Sequence, residues 1–227
     1  MIEVPVHNSD GEQVETFEVD EELLGGEIRP KLLKQAFVRY HANRRQGSAA
    51  TRNRGRIRGS GRKLYRQKGT GNARRGDKKT NLLRGGGVAF AKRPKSWRQK
   101  MPRQMRRLAN RNALLAKLVD GEVKLVTGFG VDDKPSTAAV SGLLEKLGVD
   151  RSCLLALEDT RGNEGRSARN IDRLSVTRID QINAFSLLNN RYLLCEKDAL
   201  AKWIEHRGNG RQVAEVTDEE IAANQEA

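Results

Sequence analysis

The residues able to do chemistry in this 227-residue sequence are concentrated in one internal stretch. From Arg44 to Arg107 there are 23 Lys and Arg and a single acid, Asp77, a charge of +22. The rest of the chain nets −8, within a total of +14. Lys and Arg donate charge-assisted hydrogen bonds to phosphate oxygens, and the planar fork of Arg also stacks on bases. Ten glycines from Gly47 to Gly87 let the backbone pass where a Cβ would clash. Tyr65, Gln67, Asn72, Phe90 and Trp97 are interspersed as groups that stack on or hydrogen-bond exposed bases. An ordinary solvated charged face mixes signs, and this stretch does not. Its self-repulsion has to be offset, and nucleic-acid phosphates supply the counter-charge.

Other chemistries find little support. His7, His41 and His206 lie far apart and form no HExxH or HxE spacing, so neither a metal site nor a general base is indicated. Cys153 and Cys195 sit inside apolar runs and read as small buried hydrophobes. Two cysteines 42 residues apart exclude a disulfide framework and a four-ligand zinc site. There is no GxSxG and no GxxxxGK[ST]. The glycine strings at Gly59 and Gly69 lack the third glycine of a dinucleotide loop and follow no apolar strand. A nucleotide-dependent enzyme would need acids such as Glu158 or Asp159 at a strand end, and these read as solvated loop residues. No enzyme, metal or cofactor is expected.

The elements that must hold the basic stretch read as follows. Ile2–His7 and Val14–Val19 are strands joined by the turn residues Asn8 to Gly11. Pro30 opens a helix to Asn43 with Leu33, Phe37 and Tyr40 on one face. A second helix runs from about Met101 to Asp120, with Met105, Leu108, Leu115 and Val119 inward and Arg103, Arg106, Arg107 and Arg111 outward. Strands at Val123–Thr127, Cys153–Leu157, Leu174–Thr177 and Tyr192–Cys195 then alternate with helices. The helices are Pro135–Leu147, Asn163–Asn170 with Asn163 as its cap, one capped by Asp180, and one from Asp198. That alternation implies βαβ crossovers. The fold class is α/β: one globular domain, residues 1–43 and 101–207, with a mainly parallel sheet flanked by helices in Rossmann-like order. A long extended basic loop, 44–100, interrupts it. Residues 208–227 read as an acidic, disordered tail. Poor in Leu, Ile, Val and Phe, the loop cannot offset its ordering entropy by apolar burial and reads as disordered or extended when alone. Mean hydropathy is −0.71 and no run approaches eighteen apolar residues, so no membrane helix is expected. No secretory signal is visible, and a cytoplasmic chain is expected.

The run from Gly59 to Arg74, GSGRKLYRQKGTGNAR, resembles the bacterial large-subunit ribosomal protein L-four family, whose loop reads close to GxGxKPWRQKGTGRAR. Gly85 to Pro94, GGGVAFAKRP, resembles that family's next block, and Arg45-Gln46-Gly47 and Lys100 to Leu118 also fit. The resemblance is close over residues 30–120 and follows in element order to about 206. It implies an α/β domain on the outer surface of the large subunit and a loop running into large-subunit ribosomal RNA. It also implies early binding in subunit assembly, ribosomal protein L-twenty-two as a neighbour, and in some members binding to the messenger RNA of their own operon. By position the tip facing the nascent-peptide exit tunnel is Arg66, Gln67, Lys68, Gly69, Thr70, Gly71 and Asn72. RNA contacts fall to Arg44, Arg45, Arg52, Arg54, Arg56, Arg58, Arg62, Lys63, Tyr65, Arg74, Arg75, Lys78, Lys79, Arg84, Lys92, Arg93, Trp97 and Arg98, and on the following helix to Arg103, Arg106 and Arg107. Leu64 and Tyr65 stand where the family has Pro-Trp. Asn72 stands where Arg is usual and brings no charge there. The alternative from composition alone is a non-ribosomal RNA chaperone or regulator that clamps many RNAs.

Overall fold

The computed structural model describes residues 1–131 and 134–207. The acidic segment 208–227 lies outside them. Two units separate: residues 1–41 with the chain from Lys100 onward, and Ala42–Gln99.

The first unit is built on one six-stranded sheet, ordered β2-β1-β3-β6-β4-β5. Its strands are β1 (Ile2–His7), β2 (Gln13–Val19), β3 (Val123–Val126), β4 (Cys153–Leu157), β5 (Leu174–Arg178) and β6 (Tyr192–Glu196). β1 and β2 form an antiparallel hairpin, and all other pairings are parallel. The expected mainly parallel α/β sheet is therefore the observed one. Helices α1 (Pro30–Asn43), α2 (Arg103–Val119), α5 (Ala184–Asn189) and α6 (Lys197–Arg207) supply one layer. Helices α3 (Thr137–Lys146) and α4 (Asn163–Ala168) supply the other.

Period-two alternation explains why β4 can be apolar throughout. Leu154 and Ala156 enter the core beneath α2, α5 and α6, whereas Cys153, Leu155 and Leu157 enter the core beneath α3. Cys153 and Cys195 join opposite cores, so both remain buried free thiols.

α2 is the longest element among the described residues and ends on a glycine turn. Gly121 has φ +67°, and the Glu122 N–H donates to Lys117 O at 2.9 Å across it. That turn carries Glu122 back beneath the helix, where its carboxylate accepts from Lys117 Nζ and pairs with Arg191 Nε at 2.9 Å. Lys117 Nζ also donates to Arg191 O at 2.9 Å.

The caps and starts around α3, α4 and α5 differ from the sequence expectation. α3 begins at Thr137 rather than Pro135 because the Ser136 hydroxyl caps it, accepting the free amide of Ala139 at 3.3 Å. Asn163 is the first residue of α4 rather than its cap, a place Gly162 takes. There the Asn163 carbonyl accepts from Ser167 Oγ at 2.6 Å, and Ser167 Oγ in turn accepts from Ser136 N at 2.8 Å. Asp180 caps no helix: it lies in a 3₁₀ turn, Ile179–Gln181, and pairs with Arg178 at 2.9 Å. α5 is capped by Asn183, whose Oδ1 accepts from Ser186 N at 3.0 Å while the Asn183 N–H donates to Ser186 Oγ at 3.2 Å.

Candidate nucleic-acid interface

Past Asn43, the last residue of α1, the basic unit Ala42–Gln99 contains no helix and no regular strand. Its outgoing and returning chains are instead held by separate rungs. Gln99 N donates to Asn43 Oδ1 at 2.7 Å, and Lys95 N to Gly47 O at 3.0 Å. Thr51 N donates to Lys92 O at 3.0 Å, and Val88 N to Arg52 O at 2.9 Å. Beyond these lies an inner hairpin: Lys63 pairs with Asp77, Leu64 N donates to Gly76 O at 3.0 Å, and the Tyr65 hydroxyl donates to Ala73 O. The sequence reads this stretch as unable to organise itself by apolar burial. The structure agrees on the missing core and adds backbone pairing as the organising force.

Two glycines make that pairing possible. Gly47 has φ +70°, and a Cβ there would stand 2.0 Å from Lys95 O. A Cβ on Gly87 would stand 2.2 Å from Arg54 N. Only a residue without a side chain fits either crossing.

With no core to bury, the unit turns its charge outward. Every Lys and Arg from Arg44 to Arg98 is exposed except the half-buried Lys79. The one acid, Asp77, is engaged internally, accepting from Thr80 Oγ1 at 2.7 Å beside Arg54 at 3.8 Å. The expected tip residues Arg66 to Asn72 occupy the turn of the inner hairpin, and all but Thr70 are exposed. Gln67 accepts from Lys63 at 2.5 Å, which ties one expected shaft residue to the tip. Trp97 already has cationic company: the Arg45 guanidinium lies 3.7 Å and the Lys95 ammonium 4.4 Å from its ring centre.

Arg103, Arg106 and Arg107 belong to a different constellation, on the first unit. They line a cavity of about 690 Å³ among α1, α2 and α6, together with Tyr40, Arg111 and Trp203. Buried Trp203 Nε1, Arg106 Nε and Arg111 Nε have no hydrogen-bond partner among the described residues. Burial first, and the Arg107 charge second, lower the pKa of Arg111. Tyr40 reads in the sequence only as part of the apolar face of α1, and the part that Tyr40 and Trp203 take in this cavity is not visible there. A usable sign existed: Arg103, Arg107 and Arg111 recur at i, i+4, i+8 on one face of α2.

Residues 17–206 match the ribosomal protein L4/L1 family. The chain belongs to that family. It is 39% identical over 199 residues to the large ribosomal subunit protein uL4 of Dehalococcoides mccartyi, covering 88% of this chain and 94% of that protein. The protein of the same name from Symbiobacterium thermophilum is 38% identical over 202 residues, covering 89% and 97%. That of Rhodopirellula baltica is 36% identical over 203 residues, covering 88% and 90%. Membership of the L4/L1 family makes the chain a structural constituent of the large ribosomal subunit, not an enzyme, and locates it with the ribosome in the cytoplasm. Among the described residues, no group of His, Cys, Asp or Glu could hold a metal ion, and no helix is long and apolar enough to cross a membrane.

Proposed function

We propose that this protein binds large-subunit ribosomal RNA through its basic segment, residues 44–100, and supports the folding of that RNA early in subunit assembly. The observation that carries the reading is the basic unit's composition and exposure. It has nineteen cations and one internally engaged acid, and its backbone is held by rungs rather than by a core. Such a unit is unsuited to packing against another protein's apolar face and well suited to threading between phosphates. Arg44, Arg45, Arg52, Arg54, Arg56, Arg58, Arg62, Arg74, Arg75 and Arg84 would hold RNA along the shaft. The turn from Arg66 to Asn72 would reach the wall of the nascent-peptide exit tunnel, beside ribosomal protein L-twenty-two. Binding to the messenger RNA of its own operon belongs to the same reading, since one cationic surface can serve two folded RNAs.

The test is a salt titration of binding to a large-subunit ribosomal RNA fragment, paired with sedimentation of the protein in high-salt sucrose gradients. Each shaft arginine replaced by Ala should lower the slope of log affinity against log salt by roughly 0.7–0.9 per lost phosphate contact. Co-migration with large subunits should survive high salt. Stripping at modest salt with unchanged slopes would move the weight to a promiscuous RNA chaperone.

A further inference from the structure

We propose that the cavity among α1, α2 and α6 is a nucleotide-binding pocket that takes a phosphate group of a single RNA strand together with the base beside it. This rests on the ribosomal RNA-binding reading and adds a second contact, made by residues of the first unit.

Four observations converge on that chemistry. First, no Asp or Glu lines the cavity, so nothing within its described walls neutralises the cations there. Second, Arg103, Arg107 and Arg111 climb one face of α2 with a rise of about 6 Å between successive members. Guanidinium forks stepped in this way can meet successive phosphates of one strand. Third, Trp203 is 4% exposed, and its buried indole N–H has no acceptor among the described residues. A buried donor left unmade costs free energy, and a ligand oxygen would satisfy it. Fourth, Tyr40 and Trp203 give the pocket aromatic walls among the charges, which a bare anion site does not need and a base uses for stacking. The volume, about 690 Å³, falls within the range of small-ligand pockets and would leave a lone phosphate loosely held.

Burial lowers the pKa of Arg111, with Arg107 adding repulsion. An incoming phosphate relieves both effects, because it replaces lost hydration and separates two like charges. The ligand is thus favoured by the costs it relieves as well as by the contacts it makes.

The test uses the full chain labelled with ¹⁵N and reads the Trp203 indole N–H peak, assigned with Trp97→Phe. The probes are a short single-stranded oligoribonucleotide and, separately, inorganic phosphate. The oligonucleotide should move the Trp203 peak saturably, and inorganic phosphate should do so more weakly. Arg111→Gln should weaken the oligonucleotide response about tenfold, the loss of one charge-assisted hydrogen bond. It keeps an unbranched polar side chain at a half-buried position, and Arg107→Gln on the exposed side is the companion variant if Arg111→Gln does not fold. An unmoved Trp203 peak at saturating oligonucleotide would overturn the proposal. So would equal affinity for inorganic phosphate, which would mean an anion site only. A variant with Arg52, Arg54 and Arg56 changed to Ala separates the two readings. Its salt slope on the ribosomal RNA fragment should fall by roughly 2–3 while the Trp203 response persists. If ribosomal RNA binding stands and Trp203 stays silent, the pocket alone falls.

Discussion

Glu122 is 4% exposed and depends on two cations, Lys117 from α2 and Arg191 from the turn before β6. A buried carboxylate stripped of a partner retains its desolvation penalty without the attraction that offset it. Lys117→Met should therefore destabilise the protein by about 3 kcal/mol in urea unfolding. Lys117→Met combined with Glu122→Leu should recover most of that loss. Equal losses in the single and double variants would show that packing, not the ion pair, decides. The thiols give a pH counterpart. Burial pushes the Cys153 thiol from 9.0 up to about 12, and Cys195 is raised as well, first by burial and then by Cys153 and Glu196. A raised thiol pKa contributes stability that is complete below the ordinary value and lost as pH climbs toward the folded one. Stability should thus fall above pH 9.0 by up to about 1.4 kcal/mol per pH unit for each thiol. Cys153→Ala should flatten that fall, as read by unfolding midpoints across alkaline pH, and an unflattened curve would refute the assignment. Burial of both cysteines is legible in the sequence because each sits in an apolar run. The Lys117–Glu122–Arg191 triad is not, because Arg191 is brought to Glu122 only by the β3–β6 pairing.

At the scale of elements, what could be read is what repeats. The all-buried CLLAL of β4, the apolar face of α1 and the glycine stops at Gly121 and Gly148 follow from local pattern, and the strands lie within two residues of where that pattern places them. Helix starts are harder, because Ser, Asp and Asn are all competent caps and tertiary packing selects among them. Around α5 the winner is Asn183. Capping there seats Phe185 against Phe37 of α1, with ring centres 4.9 Å apart, and leaves Asp180 to pair with Arg178. The two residues should therefore respond differently. Asn183→Ala should cost about 1 kcal/mol, the worth of a lost cap. Asp180→Ala should stay within about 0.5 kcal/mol, since its ion pair is exposed. Urea midpoints of the two variants decide it, and a larger loss for Asp180→Ala would restore that residue as the cap. The cavity on α2 was only half legible for a related reason. Its arginine column is local, whereas Tyr40 and Trp203, more than a hundred and sixty residues apart in sequence, reach it from α1 and α6.

For the molecule as a whole, charge and core are divided between different residues. Ala42–Gln99 carries +18, and everything else sums to −4. Neither hydrophobic core draws a residue from 43–99. Stability and long-range attraction for a polyanion thus reside in separable parts of the chain, which sequence composition shows directly and the two core clusters explain. Asn43 and Gln99 exchange hydrogen bonds of 2.7 and 3.3 Å, so the two ends of the basic segment meet. A short Gly-Ser linker in place of residues 45–98 can therefore close the chain with little entropic penalty. The excised protein should keep a cooperative urea transition close to that of the full chain, because both cores are untouched. Its binding to a large-subunit ribosomal RNA fragment should lose most of its salt slope, since roughly 0.7–0.9 disappears with each phosphate contact removed. Weak binding that persists and depends on Arg107 and Arg111 would then report the pocket on α2, acting on a unit whose overall charge repels RNA. A slope as steep as that of the full chain would place the dominant contacts on the first unit and remove the basic segment from its central role. Loss of the cooperative transition would mean instead that the segment takes part in folding, against the division of cores seen here.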